Sequence, residues 1–245
     1  MDLKDWIATD LDNTLFHRSW GGEDAVVATW HPAAEGEDRV PSSWIRGSTH
    51  RLMEALGRSF ALVPVTARDM DSFSRVSVSG LHLGGPAVVA NGALILGTDG
   101  TPDASWEKRM TDLLSPWEAE LNGLCEWLIA RSTGRARPRL VTGPGNLPAY
   151  LVAKAEDGWW NSTEGKAVLG GRDWAGCKVA VLGTELQVLP PGVGKHEAVT
   201  EVRDRFFGGR PPLMCMGDMP QDLQFMCLGG LMAMPVGSVL ERSLT

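Results

Sequence analysis

Trp6-Ile7-Ala8-Thr9-Asp10-Leu11-Asp12-Asn13-Thr14-Leu15 is the stretch on which the rest of the chain depends. The apolar run Trp6, Ile7 and Ala8 suits a buried strand. Two acids follow at its carboxyl end, where open α/β sheets bind their ligands. Residues two apart point to the same side of an extended chain, so Asp10 and Asp12 face one site. Such a pair can share a divalent cation, with one acid left to attack or to transfer protons.

The strands that should flank this one are visible further along. Ser48 to Ser59 has a helical face of Leu52, Met53 and Leu56, with Ser48 or Thr49 as cap and Gly57 as terminator. It leads into the apolar run Phe60 to Val65, which ends in Thr66-Ala67-Arg68-Asp69. Strand, helix and strand make a βαβ unit with parallel strands, whose carboxyl ends lie side by side. Thr66 is thereby delivered to the neighbourhood of Asp10. Ala87 to Leu96 is expected as a third apolar strand, with a turn signal at Asn91-Gly92. Near the carboxyl terminus, Gly192-Val193-Gly194-Lys195 opens a helix with a face of Ala198, Val199, Val202 and Phe206. Leu213 to Gly217 is a buried strand ending in Asp218, Asp222 follows, and Leu231 to Pro235 is a last short strand.

Between these core pieces the pattern changes. Ser105 to Arg131 is helical, with a break expected at Pro116. Arg131 to Arg139 is basic and turn-rich, and Ala149–Ala155, Cys177–Leu182 and Leu186–Leu189 are short strands. The expectation is α/β: a Rossmann-like parallel-sheet core, 1–93 with 186–245, carrying an inserted α+β cap at 94–185. Phe16 to Gly47 is a long irregular connection, and Ala25 to Trp30 within it is β-prone. A hairpin flap beside the site follows, placing His17, Arg18 and Trp20 near it.

Composition bounds the function. The chain has 245 residues, 43% hydrophobic and 22% charged, enough for a sizeable core. A net charge of -7 argues against a general nucleic-acid or membrane surface, though not against a local positive pocket. Four cysteines, Cys125, Cys177, Cys215 and Cys227, form no Cys-x-x-Cys pair and read as neutral thiols of a reducing compartment. The polar amino terminus and the lack of a spanning apolar run make a cytoplasmic protein the expectation. Five scattered histidines and no Gly-x-Ser-x-Gly leave no rival zinc or Ser-His-Asp pattern.

Asp10-Leu11-Asp12-Asn13-Thr14-Leu15 resembles the first motif of the haloacid dehalogenase-like superfamily, Asp-x-Asp-x-Thr after a hydrophobic strand. Thr66 resembles the second motif, Lys195 the third, and Gly217-Asp218-Met219-Pro220-Gln221-Asp222 the fourth. Taken singly each has an ordinary structural role, such as capping a turn or starting a helix. Together, in this order, they supply the four things that phosphate-ester cleavage needs: a nucleophile, a proton donor, a cation and donors to the phosphoryl oxygens. The resemblance implies Asp10 as nucleophile, Asp12 as general acid and base, Thr66 as a phosphoryl donor, and Lys195 as the neutralising cation. It implies Mg²⁺, an ion suited to an all-oxygen site, held by Asp10, the Asp12 main-chain carbonyl, Asp218 and Asp222. Asn13, Thr14, Arg68 and Asn91 are the expected substrate contacts.

The insert between the second and third motifs and the Asn91-Gly92-Ala93 segment look like subfamily IIB, which includes Cof-like, sucrose-phosphate and mannosyl-3-phosphoglycerate phosphatases. That implies a phosphatase acting on a small-molecule phosphomonoester, with sugar phosphates among the candidates, as a monomer or small homo-oligomer. A phosphotransferase or mutase, or a catalytically idle binding protein, are the alternatives on the same scaffold. Two features depart from the pattern: Gln221 stands where relatives have Asn, and the Asp10–Thr66 spacing is long. Substrate choice would fall to the cap, with Arg135, Arg137, Arg139, Lys154, Lys166 and the Trp159-Trp160 pair as candidates.

Overall fold

The computed structural model describes residues 5–19, 22–34, 37–78 and 85–244. Trp20, expected near the site, lies outside the described residues. The chain divides into two compact units, 1–103 with 195–245, and 104–194. The hairpin after Pro86 stays with the first unit and the strand Glu185–Leu189 with the second.

In the first unit a parallel sheet runs in the order Leu231–Ala233, Met214–Met216, Trp6–Thr9, Ala61–Pro64. Trp6–Thr9 and Ala61–Pro64 are mostly apolar and buried along their whole length, as expected for parallel strands covered on both faces. Register aligns Thr9 with Met216 on one side and with Pro64 on the other. The residues that follow each of these, Asp10, Gly217 and Val65, therefore emerge along one edge. Trp6 anchors the opposite end, stacked on Phe207 at 4.5 Å with its indole N–H donating to the Arg210 carbonyl. Phe207, not Phe206, is the buried aromatic after the last long helix, Lys195–Phe206.

The helix joining the first two strands spans Gly47–Ser59. Its N-cap is Arg46, without a side-chain cap, and it passes through Gly57, because packing of Met53 and Leu56 on the core outweighs the local cap and stop signals. The flap is a three-stranded antiparallel sheet ordered Phe16–His17, Pro41–Ile45, Val26–Trp30. The expected single strand at 87–96 is instead a hairpin, Ala87–Val89 with Leu94–Leu96. Its turn places Ala90, Asn91 and Gly92 all at positive φ, which reverses the chain between two three-residue strands.

In the second unit, the helices Ala104–Leu114 and Glu118–Ser132 are separated by a 3-10 turn at Ser115–Trp117, which contains Pro116. An antiparallel sheet follows, ordered Lys178–Leu182, Glu185–Leu189, Pro148–Ala155, Ala136–Thr142. The last of these corrects the turn-rich expectation for Arg131–Arg139. Its exposed positions are Arg137, Arg139 and Thr142, and Pro138 is tolerated because the strand is at the edge. Trp159 and Trp160 are buried in this unit's apolar core and meet edge to face at 4.7 Å, so they pack and do not form an open stacking wall. Arg135 and Lys154 pair with Glu156 and Glu185, and Lys166 is exposed.

Candidate active site

The carboxyl edge of the parallel sheet brings together side chains up to 212 positions apart. Asp10, Asp218 and Asp222 are buried and offer carboxylate oxygens all within 4.8 Å of one another. Lys195, first residue of its helix, donates to Asp10 Oδ1 at 2.7 Å and to Asp222 Oδ1 at 2.8 Å. The other oxygen of Asp10 accepts from Thr14 Oγ1 at 2.9 Å, and the same hydroxyl lies 3.3 Å from Asp218 Oδ1. Asp222 Oδ2 accepts from the Asp218 and Met219 amides at 3.2 and 3.1 Å, so Asp222 holds its own loop closed around Asp218. That closure needs Gly217: a Cβ there would lie 2.6 Å from the Asp222 Cβ.

Burial and charge act together on these groups. Asp10 is pushed up to about 7, first by burial and then by Asp222 and Asp218, with Lys195 pulling the other way. Asp218 is pushed up to about 6 by burial and by Asp222, against Lys195 and the Thr14 hydrogen bond. Burial alone would lower Lys195, but the carboxylates of Asp10 and Asp222 outweigh it and hold it above its ordinary value. Three acids against one ammonium leave two negative charges uncompensated when all are ionised. A hard dication matches both that deficit and the all-oxygen donor set.

The remaining expected residues divide. Thr66 is buried beside this edge, its Oγ1 accepting from the Arg68 amide and its carbonyl from the Asn91 amide. Asn91 is buried, and its Nδ2 has no partner among the described residues; the same holds for Gln221 Oε1. Asn13 is exposed and turns the chain at φ 62°. Thr14 is committed to Asp10 and Asp218. The Asp12 side chain stands apart from the acid cluster and is paired with Arg68. No local pattern announces that pairing, nor the short helix Met70–Ser74, capped by Asp69, whose Ser72 carbonyl accepts from Arg68.

No protein-family model matches the sequence, and no curated protein does. Solved structures do match. A Thermoplasma acidophilum protein aligns over 98% of this chain and 89% of its own, at 13% identity and a TM-score of 0.60. A haloacid dehalogenase-like hydrolase from Bacteroides thetaiotaomicron aligns over 94% of each chain, at 11% identity and a TM-score of 0.58. The chain has the haloacid dehalogenase-like fold. A third chain of this fold, a Synechocystis sucrose-phosphatase solved with sucrose and phosphate, aligns over 98% of this chain and 97% of its own, at 14% identity and a TM-score of 0.54. Among the described residues no helix is long and apolar enough to cross a membrane.

Proposed function

We propose that this protein is a Mg²⁺-dependent phosphatase of haloacid dehalogenase type, hydrolysing a small-molecule phosphomonoester through an aspartyl-phosphate. The observation that carries the reading is the buried Asp10–Lys195–Asp222–Asp218 cluster, assembled from three separate segments at the carboxyl edge of a parallel sheet. A nucleophilic carboxylate must be held still and must be ionised to attack. Lys195 and Thr14 grip one oxygen of Asp10 each, and Lys195 favours its charged form. The bond from Asp10 to phosphorus forms as the bond to the leaving oxygen breaks. Asp12 gives that oxygen its proton, then takes one from the water that cleaves the aspartyl-phosphate, releasing phosphate and restoring Asp10. The Thr66 hydroxyl and Asn91 Nδ2, both buried and the latter without a partner among the described residues, are the donors for the phosphoryl oxygens.

Asp10, Asp218 and Asp222 would hold the cation, with the Asp12 carbonyl as a further ligand, and a bound Mg²⁺ would offset the charge of the acids and the phosphate. A sugar phosphate is the favoured substrate class, resting on the likeness to the sucrose-phosphatase. The unit at 104–194 is proposed as the cap that selects it. The test is phosphate release by purified protein with Mg²⁺, across sugar phosphates, nucleotides and an aryl phosphate. Activity abolished by a chelator and by Asp10→Asn is expected. Release that survives Asp10→Asn would refute the assignment.

A further inference from the structure

Asp12 needs a second residue to aim it. Its side chain is 34% exposed, it lies past the end of its strand, and the next residue turns left-handed. Among the described residues no hydrogen bond or ion pair joins it to the Asp10 cluster. What fixes it is Arg68, whose Nε donates to Asp12 Oδ2 and whose Nη2 donates to Oδ1, both at 2.7 Å. Two parallel bonds to a planar carboxylate set both its position and the plane in which it lies. Arg68 is itself held at several points. Its Nη1 donates to the Ser72 carbonyl, its amide to Thr66 Oγ1, and its own carbonyl accepts from the Ala90 amide at 2.7 Å. The Asp69 cap in turn fixes Ser72.

All three guanidinium nitrogens therefore have protein partners, and the Arg68 side chain is only 14% exposed. A residue so committed is poorly placed to grip a second anion. A proton donor, by contrast, must sit within hydrogen-bond reach of the leaving oxygen, and misplacement by about 1 Å costs roughly 10²-fold. We propose that Arg68 is a positioning residue: its fork holds the Asp12 carboxyl where the leaving oxygen departs, and it does not bind the phosphate ester itself. This rests on the phosphatase reading above, with Asp12 as proton donor.

Leaving-group dependence tests it. A p-nitrophenolate departs without a proton, whereas unsubstituted phenolate needs one far more. kcat/KM is measured with Mg²⁺ for p-nitrophenyl phosphate and phenyl phosphate, using wild type, Arg68→Gln, Arg68→Lys, Asp12→Asn and the Arg68→Gln/Asp12→Asn double variant. Thermal unfolding is recorded for each. Arg68→Gln is expected to slow phenyl phosphate by roughly 10²-fold and p-nitrophenyl phosphate much less, mainly in kcat. Asp12→Asn shows the same bias, and adding Arg68→Gln to it costs little more, because both changes remove one function. Arg68→Lys behaves like Arg68→Gln, since an ammonium cannot make the fork, and it carries the comparison if the glutamine variant does not fold. Equal losses for both esters overturn the proposal: with raised KM they mean direct substrate binding, and with lowered thermal stability a structural role. Independent, multiplying losses in the double variant overturn it too. A wild type inert toward every ester removes the phosphatase reading and this inference with it.

Discussion

The metal-free protein should become more stable as it is acidified from pH 8 to pH 5, against the usual trend. Asp10 rises from 3.8 to about 7 on folding and Asp218 from 3.8 to about 6. An acid whose folded value lies above its unfolded one binds its proton more tightly when folded. The native state then carries more protons across that window, and stability falls as pH rises through it. Between pH 8 and pH 5, which takes in only part of each shift, Asp10 contributes about 3 kcal/mol and Asp218 about 1 kcal/mol. Both groups feel the same neighbour, Asp222, so the contributions overlap and the total is at most about 4 kcal/mol. For a chain of 245 residues this is a shift of roughly 10 °C in Tm. The assay is thermal and urea unfolding in chelator at constant ionic strength, at pH 5, 6, 7 and 8. Wild type is compared with Asp218→Asn, and both with and without Mg²⁺. Asp218→Asn removes one of the clustered charges, so it should flatten the pH slope and be the more stable protein at pH 8. Mg²⁺ should flatten the wild-type slope in the same way. A wild-type slope unchanged by Asp218→Asn would refute the electrostatic account of the cluster.

Other positions give sharper single outcomes. Gly217→Ala puts a Cβ 2.6 Å from the Asp222 Cβ and 2.8 Å from Met226 Sδ, so it should cost about 1–3 kcal/mol in urea unfolding and weaken Mg²⁺ binding by titration calorimetry. Phe207→Ala removes the ring stacked on Trp6 and should cost about 3–5 kcal/mol, while any remaining folded protein keeps its Mg²⁺ affinity. Burial pushes the Cys215 thiol up to about 12 and Cys177 up to about 11, whereas Cys227 is exposed. A thiol reagent at pH 8 should therefore modify Cys227 first and Cys215 only on unfolding, read by peptide mass mapping.

Much of the site was legible because each of its main residues closes or opens an element. Asp10, Thr66 and Asp218 each follow an apolar run, and Lys195 follows glycines at a helix start. Once the runs are parallel strands of one sheet, their carboxyl ends must share an edge. Less was legible where local signals conflicted with packing. The 87–96 hairpin carried its turn signal at Asn91-Gly92, but its two arms of only three residues each read as parts of one strand. The edge strand Ala136–Thr142 was hidden because it carries the run Arg137-Pro138-Arg139, which is basic and holds a proline.

The sequence by itself determined the order of the strands' apolar runs and which residue types stand at their ends, since period and polarity are local properties of the chain. Tertiary structure alone decided how those residues share their bonds. Arg68 with Asp12, and Thr14 between Asp10 and Asp218, are partners set by where loops from distant segments meet. The raised acids are likewise a tertiary outcome. No residue type carries its own burial, and only the folded chain removes Asp10 and Asp218 from water while leaving a single lysine to face three carboxylates.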